Sequence, residues 1–257
     1  MDRICYDEII QQLDIQKGDI LLVSSDIRKL MLDSFRHKEK FDVNRFIDSI
    51  LEAVGKTGTV LFPTYNWDFC KGITFDYMNT PSKTGSLGSI ALSREDFKRS
   101  RHPIYSFAIW GKDKEMLCQK DYSSSFGEDS IFGYLYENKA KNLVIDTPIG
   151  NCCTFAHYVE ETSGMVTYRY KKTFTADYVD ENGKKTNKSY EMFVRDLDLD
   201  VENLGPSEQD FLQENVGKSE DINGSHFFMM NFEDAYHMIY NDIRNNRSRK
   251  LCRFKGQ

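Results

Sequence analysis

Short apolar runs alternate with an amphipathic segment along the first quarter of the chain. Residues 20–23 form a continuous apolar run, and residues 60–62 form a second one. Between them, from Phe41 to Val54, apolar residues recur at helical spacing, and Gly55 follows as a typical C-terminal stop. The pattern predicts strand, helix and strand, a unit that implies two parallel neighbours in one sheet.

The middle of the chain repeats this apolar pattern and then changes its period. Residues 142–146 predict a third buried strand, and residues 152–162 predict a helix after it. Within residues 173–195, β-rich runs lie on either side of an Asn-Gly pair at residues 182–183, which favours a tight primed turn. This region therefore predicts an antiparallel hairpin.

The last part of the chain predicts one more helix and a basic tail. Asn231 is a candidate N-cap for residues 232–243, where apolar side chains fall on one helical face. Residues 246–257 are predicted to form a solvated, frayed tail. Together the elements predict the α/β class: a single domain over residues 1–257, with a mainly parallel central sheet flanked by helices and an antiparallel hairpin in the C-terminal half.

Composition narrows the classes of partner. The formal net charge of -6 argues against a nucleic-acid partner, because binding to phosphates needs a concentrated Lys and Arg surface. No apolar run approaches the roughly 20 residues that span a bilayer, so no membrane partner is expected. The six cysteines lack CxxC spacing and disulfide-scaffold density, which fits a reducing cytoplasm. A homodimer is left open, and the scattered histidines predict no metal site.

The most informative polar residues open the helix predicted after the third strand. Thr154, His157 and either Glu160 or Glu161 fall on one helical face. A neutral imidazole can accept a proton from an amine, and a neighbouring carboxylate fixes its tautomer and stabilises the imidazolium that forms. The alternative is a structural histidine, which is the commoner role for a single histidine on a helix.

Three further segments carry chemistry, each with a plainer alternative. Residues 98–107 combine clustered cations with a hydroxyl, which suits phosphate binding; the alternative is a solvated basic connector. Residues 79–89 are rich in hydroxyls and backbone donors, which favour anion binding; the alternative is an ordinary turn. Residues 63–69 place aromatic rings and a carboxylate after the second strand, which suits binding of a cationic sugar; the alternative is that they pack at the edge of the core.

In this order, the segments resemble the aminoglycoside 3-N-acetyltransferase family over residues 10–245. The resemblance runs through Lys17 to Asp19, Ser24-Ser25, Gly58 to Thr64, Trp67 to Phe69, Thr80 to Gly85, Arg99 to Pro103 with Ser106, Phe126 to Ser130 and Thr154 to Glu160. It implies direct transfer of an acetyl group from acetyl-coenzyme A to an amino group of an aminoglycoside or related amino sugar. The partner that we expect is therefore a small-molecule amine.

The resemblance also implies roles for individual residues. His157 would be the general base, Glu160 its acidic partner, and Thr154 a hydroxyl that positions the reacting groups. The coenzyme A side would comprise Ser24, Ser25, Thr84, Gly85, Arg101, His102 and Ser106. The side that binds the amine would comprise Asp68, Glu128 and Asp129, with Tyr65 from the aromatic segment beside them.

Two alternatives to this function stay open at the level of sequence. In one, the acceptor is a nucleotide-linked amino sugar used in surface polysaccharide biosynthesis. In the other, the chain is a non-catalytic protein that binds coenzyme A and has lost the chemistry. The intact Thr154, His157 and Glu160 argue against the second, because a binding relic needs no base and carboxylate on one face.

Overall fold

The fold is built around a seven-stranded sheet whose central strands are parallel. The computed structural model describes residues 3–255, and the order of this sheet is β10-β11-β6-β1-β2-β5-β4. The strands in chain order are β1 (Ile20–Ser25), β2 (Thr59–Pro63), β3 (Phe75–Asp76), β4 (Lys98–Arg99), β5 (Phe107–Gly111), β6 (Lys141–Ile145), β7 (Arg169–Val179), β8 (Lys185–Arg195), β9 (Val201–Asn203), β10 (Lys218–Ile222), β11 (Ser225–Asn231) and β12 (Cys252–Phe254). β7 and β8 form a sheet with β3, and β12 pairs with β9.

The parallel part of the central sheet is its middle. β1 pairs in parallel with β2 on one side and β6 on the other, as the predicted strand, helix and strand unit requires. The outer pairs, including β2 with β5 and β6 with β11, are antiparallel. The predicted α/β class is confirmed. The short connection of residues 223–224 makes β10 and β11 antiparallel, because so few residues cannot make a parallel crossover.

Helices cover both faces of this sheet. They are α1 (Arg28–Arg36), α2 (Val43–Val54), α3 (Ser86–Leu92), α4 (Lys114–Gln119), α5 (Ile131–Glu137), α6 (Ile149–Cys152), α7 (Phe155–Ser163), α8 (Glu208–Gln213) and α9 (Phe232–Asn246). Successive β1 side chains alternate between the two cores: Leu21 packs in the cluster that contains α2, and Leu22 packs in the cluster that contains α7 and α9. The sheet therefore separates two apolar layers.

Local sequence signals explain several helix ends. The carboxylate of Asp42 accepts hydrogen bonds from the backbone N–H groups of Asn44 and Arg45, so α2 begins there and not at Phe41. Gly55 ends α2 with a φ of 66°, as predicted. The side chain of Asn231 accepts from the backbone N–H of Asp234 and caps α9, which confirms the predicted N-cap.

The predicted hairpin is confirmed, but its predicted turn is wrong. β7 and β8 pair antiparallel along their whole length, and residues 180–184 connect them. Only Gly183 of the Asn-Gly pair has a positive φ, at 77°, whereas a two-residue primed turn of this type needs both. The Asp180 carboxylate accepts from the backbone N–H groups of Asn182 and Lys184, which stabilises a longer loop instead.

The prediction of a frayed basic tail is also wrong for the residues that the structure describes. After α9 the chain turns back through Arg247 and Ser248, both with positive φ, and enters β12. Leu251 and Cys252 are buried, and the backbone N–H groups of Leu204 and Gly205 donate to the Leu251 carbonyl. Burial of these apolar side chains outweighs the basic composition that suggested a solvated tail. Residues 256–257 lie outside the described part of the chain.

Candidate active site

The carboxyl ends of the three parallel strands enclose a cavity of about 240 Å³. Because β6, β1 and β2 are parallel neighbours, their C-terminal ends meet at one edge of the sheet, where ligand sites in such folds form. The lining residues are Val23, Ser24, Ser25, Pro63, Tyr65, Trp67, Thr84, Gly85, Leu87, Gly88, Thr147, Asn151, Cys152 and Thr154. Each of the three strands therefore contributes the segment at its end.

Close packing of α3 forms one wall of this cavity. A Cβ atom built on Gly88 would lie 2.3 Å from the carbonyl oxygen of Pro63 at the end of β2. Only a glycine allows the helix to approach the strand this closely. The approach brings Thr84 and Gly85, just before the helix, to the cavity beside Ser24 and Ser25.

His157 and Glu160 form a direct pair on α7. The Nδ1 atom of His157 lies 2.6 Å from Oε2 of Glu160, which resolves the choice between the two glutamates that the sequence left open. The Phe126 ring lies edge-on to the imidazole, with centroids 5.2 Å apart. The His157 side chain is 26% exposed and that of Glu160 only 2%, so a buried carboxylate supports an accessible imidazole.

Two residues at the start of β7 complete the surroundings of Glu160. The Tyr168 hydroxyl donates to Oε1 at 2.8 Å, and Nε of Arg169 lies 2.9 Å from Oε2. Burial favours the neutral acid, but the hydrogen bond from His157, the charge of Arg169 and the Tyr168 hydroxyl outweigh it and lower the pKa of Glu160. The carboxylate is therefore ionised; His157 and Tyr168 form hydrogen bonds with it, and Arg169 contacts it as an ion pair.

A second, smaller cavity of about 60 Å³ lies at this pair. Its lining includes His157, Glu160, Asn203 and Leu251, together with Asn151 and Thr154. Asn151 and Thr154 also line the larger cavity, so the two cavities are neighbours at the segment where α6 ends and α7 begins. A group bound in the larger cavity and ending near Thr154 would therefore end beside the imidazole.

The predicted coenzyme A residues divide into two groups. Ser24, Ser25, Thr84 and Gly85 line the larger cavity together. Ser106 is fully buried, its hydroxyl donates to the Thr64 carbonyl at 2.9 Å, and it does not line the larger cavity, so its predicted place on the coenzyme A side stays a prediction.

His102 and Arg101 also lie away from the larger cavity. The His102 ring is 1% exposed, stacks on Tyr122 at 5.1 Å, and accepts from the backbone N–H of Tyr105 through Nδ1. Burial lowers the pKa of His102 to about 3. His102 is therefore a neutral core residue that lines neither cavity, and its predicted contact with coenzyme A stays a prediction. Arg101 forms an ion pair with Glu181 at the tip of the hairpin.

The residues predicted to bind the amine do not form one acidic wall. Tyr65 is buried and lines the larger cavity, on the side of the predicted coenzyme A residues. Asp68 forms ion pairs with Lys71, at 3.2 Å, and with Lys83, and the hydrogen bond from Lys83 is the main cause that lowers the pKa of the Asp68 carboxyl.

Glu128 and Asp129 are exposed on the loop before α5. Glu161 lies next to this loop, accepts from the Ser124 hydroxyl at 2.6 Å and forms an ion pair with Lys171 at 3.0 Å. The negative charges of Asp68 and Glu161 are thus largely compensated by lysines. Of the acids predicted to bind the amine, Glu128 and Asp129 are exposed and form no ion pair with a lysine of residues 3–255.

Of the two adjacent cysteines, Cys153 is buried and Cys152 is half-buried. Cys153 is 7% exposed, and Cys152 lines the larger cavity. Burial raises the pKa of both thiols to about 12, so thiolate is scarce at neutral pH. They suit packing better than nucleophilic attack.

The sequence reasoning missed Tyr168 and Arg169, which contact Glu160 from eight and nine residues further along the chain. Gly164 carried a usable signal, because a glycine at the end of a helix often marks an immediate change of direction. It caps α7 with a φ of 65°, and the chain then turns back so that β7 begins beside the last turns of that helix.

Other features of the described residues lie outside this arrangement. The largest cavity, about 790 Å³, is lined by Tyr168, Arg247, Arg249 and Arg253, among others, and lies away from the imidazole. Within residues 3–255, no three His, Cys, Asp or Glu side chains group as metal ligands would. In that same span, no helix combines the length and apolar character needed to cross a bilayer.

Comparison with known proteins identifies related sequences and folds. The sequence model of the family described as aminoglycoside 3-N-acetyltransferase matches residues 23–241. The SPbeta prophage-derived aminoglycoside N(3')-acetyltransferase-like protein YokD of Bacillus subtilis is 26% identical over 137 residues, which cover 44% of this chain. That match spans about half of YokD, 50% of its length.

Solved structures share the fold at low identity. The crystal structure of YokD superposes with a TM-score of 0.75 at 21% identity, covering 98% of this chain and 97% of that one. AAC-IIIb in a binary complex with CoASH gives 0.76 at 16% identity, covering 94% and 95%. AAC-VIa bound to sisomicin gives 0.76 at 16% identity, covering 95% and 99%.

Proposed function

This chain belongs to the aminoglycoside 3-N-acetyltransferase family of acyltransferases, and from that premise we propose that it acetylates an amino group of an aminoglycoside or related amino sugar. The observation that carries the proposal is the pair formed by His157 and Glu160 at 2.6 Å, which lines the smaller cavity next to the one at the sheet edge. The acetyl donor is acetyl-coenzyme A, in line with the solved relative that holds CoASH.

His157 acts as the general base in this proposal. Its Nδ1–H donates to the Glu160 carboxylate, which leaves the lone pair of Nε2 free to accept a proton. As the acceptor nitrogen attacks the thioester carbonyl, Nε2 takes its proton, and Glu160 stabilises the imidazolium that forms. The C–N bond forms, the C–S bond breaks, and the imidazolium returns the proton to the departing sulfur.

Transfer is direct, without an acyl-enzyme. A covalent route needs an activated nucleophile, and Cys152 is the thiol that lines the larger cavity. Burial raises its pKa to about 12, and its Sγ donates to the Pro148 carbonyl at 3.6 Å instead of meeting a base. These features support attack by the amine itself.

The larger cavity receives the acetylated end of coenzyme A. Ser24, Ser25, Thr84 and Gly85 offer hydroxyl and backbone groups along one side of it. Thr154 lines both this cavity and the smaller one, so its hydroxyl can orient the thioester beside His157. Such positioning converts a bimolecular reaction into an effectively unimolecular one.

A nucleotide-linked amino sugar is the second candidate acceptor, and the compensated charges favour it. An aminoglycoside carries several cations, which bind best to uncompensated carboxylates. Asp68 and Glu161 already form ion pairs with Lys83 and Lys171, so fewer free acids face such a ligand. Both candidates present a primary amine to the same base.

Release of free coenzyme A thiol tests the function. Purified protein is mixed with acetyl-coenzyme A and, separately, with a panel of aminoglycosides and nucleotide-linked amino sugars. The His157→Ala variant is measured in parallel, and coenzyme A binding is followed by calorimetry. Amine-dependent thiol release that disappears in the variant, while coenzyme A still binds, supports the proposal. Coenzyme A binding without thiol release for any amine overturns it.

A further inference from the structure

We propose that Tyr168 and Arg169 are positioning residues of the acetyl transfer, which clamp the Glu160 carboxylate from two sides and so keep the His157 ring oriented for the reaction. The inference rests on the proposed function, because it takes His157 as the base. Neither residue lines the two cavities of the site, and both contact Glu160, so each acts through the carboxylate.

Both oxygens of the Glu160 carboxylate are engaged by neighbouring side chains. Tyr168 donates to Oε1 of Glu160 at 2.8 Å, while His157 and Arg169 meet Oε2 at 2.6 and 2.9 Å. A carboxylate engaged through both oxygens cannot rotate about its last bond without breaking a contact. The direction of the Nδ1 hydrogen bond is therefore fixed, and the imidazole ring with it.

The clamp is itself rigid. Tyr168 is 3% exposed, and the Arg169 side chain is 8% exposed. A terminal guanidinium nitrogen of Arg169 donates to the amide oxygen of Asn203 at 2.6 Å, and Asn203 also lines the cavity at His157. Arg169 thus joins β7 and β9 to the catalytic helix.

Arg169 also changes the charge that faces the imidazole. A buried carboxylate beside an imidazole favours the imidazolium, which cannot accept a proton. Arg169 places a permanent cation 2.9 Å from the same carboxylate and offsets much of its negative charge. The negative charge that faces the imidazole is therefore partly offset.

The other titratable groups around this cluster do not supply the offsetting charge. Cys153, Cys252 and Tyr105 all lie within electrostatic reach of Glu160 or Arg169. Burial raises the pKa of each of them, so each is neutral at physiological pH. Lys171 is engaged with Glu161. Arg169 is the cation in contact with the Glu160 carboxylate.

The test compares pH profiles of kcat/KM for Tyr168→Phe, Arg169→Gln and Arg169→Lys with two matched controls. Tyr170→Phe removes a neighbouring hydroxyl from an exposed ring, and Arg195→Gln removes the arginine directly across the hairpin from Arg169. In the pH profile of kcat/KM, we expect Arg169→Gln to move the acidic limb to higher pH by roughly half a unit or more. The reason is that the variant lacks the cation that repels an imidazolium at His157. Arg169→Lys, which restores the charge, should move the limb back.

Tyr168→Phe should lower kcat about tenfold and leave the KM for acetyl-coenzyme A unchanged, because orientation is lost while the binding cavity is intact. Nitrogen NMR of His157 in the folded protein reads its tautomer independently of turnover. The wild type should show the Nδ1–H form, and Tyr168→Phe should show a mixture. These readouts separate positioning from a loss of folded protein, which would lower activity evenly at every pH.

Either of two results overturns the inference. One is an Arg169→Gln variant whose pH profile of kcat/KM has the same acidic limb as the wild type. The other is a Tyr168→Phe variant whose kcat and His157 tautomer match those of Tyr170→Phe. Measurement of His157→Ala in the same series keeps the two proposals apart. If His157→Ala stays active, the proposed function fails. If His157→Ala is inactive while the clamp variants behave like their controls, only the clamp fails.

Discussion

The carboxylate of Glu160 lies one helical turn from the imidazole of His157, with 2.6 Å between Nδ1 and Oε2. One turn of α7 is therefore enough to pair a candidate base with its partner, and the sheet edge only has to bring a thioester to it.

Glu160→Gln should lower kcat by about 10² to 10³, because the amide cannot stabilise an imidazolium and can hold the wrong tautomer. Steady-state thiol release checks this, with the KM for acetyl-coenzyme A expected to stay within a factor of two or so. Glu202→Gln, an exposed acid on β9, is the matched control. A Glu160→Gln enzyme with wild-type kcat would remove the carboxylate from the chemistry.

His102 should make the protein sensitive to mild acid. Its folded-state pKa of about 3 lies below the ordinary value, so the neutral ring stabilises the fold fully above pH 6.5 and loses this effect as the pH falls toward 3. Between pH 6.5 and pH 5 the loss is about 2 kcal/mol.

Denaturant unfolding of the wild type and His102→Gln at both pH values checks this effect. The variant should be less stable at neutral pH and should show a smaller loss on acidification, with an unchanged KM for acetyl-coenzyme A. A selective rise in that KM would restore His102 to the coenzyme A site.

Lys83→Ala should improve binding of polycationic acceptors. The change frees the Asp68 carboxylate from its shorter ion pair, so the KM for an aminoglycoside should fall a few-fold at low salt and return toward wild type at high salt. Lys83→Arg keeps the charge and serves as the control. An unchanged KM at every salt concentration would place Asp68 outside the acceptor site.

Leu251→Ala should destabilise the fold by about 2 to 5 kcal/mol, because it leaves a void beneath β12. Thermal unfolding measures the loss, and Lys255→Ala, on an exposed side chain of the same segment, should change stability little. If Leu251→Ala unfolds like the wild type, the last segment of the chain contributes little to the core.

The sequence predicted the elements better than the contacts between them. The spacing of apolar residues predicted β1, α2, β2 and β6, and the resemblance to the family selected Thr154, His157 and Glu160. The resemblance could not show that His102 and Ser106 are buried, because a polar residue in a family motif looks the same in sequence whether it binds a ligand or a carbonyl in the core.

Contacts across the fold were equally hidden from the sequence. Tyr168 and Arg169 reach Glu160 only after the chain reverses at Gly164, and the basic residues after α9 gave no sign that Leu251 and Cys252 would anchor them. The spacing of apolar residues shows which face of a helix or strand is buried, but it does not show which polar groups of a later segment contact that helix or strand.

The meeting of β6, β1 and β2 also sets when the protein can become active during refolding. The pairing of β1 with β6 begins where Leu21 lies opposite Lys141. The cavity at the ends of these strands forms only when both strands and α3 are in place. Contacts so far apart in sequence form slowly. Regained thiol release would therefore report the last assembly step, after helical signal and partial compaction have already returned.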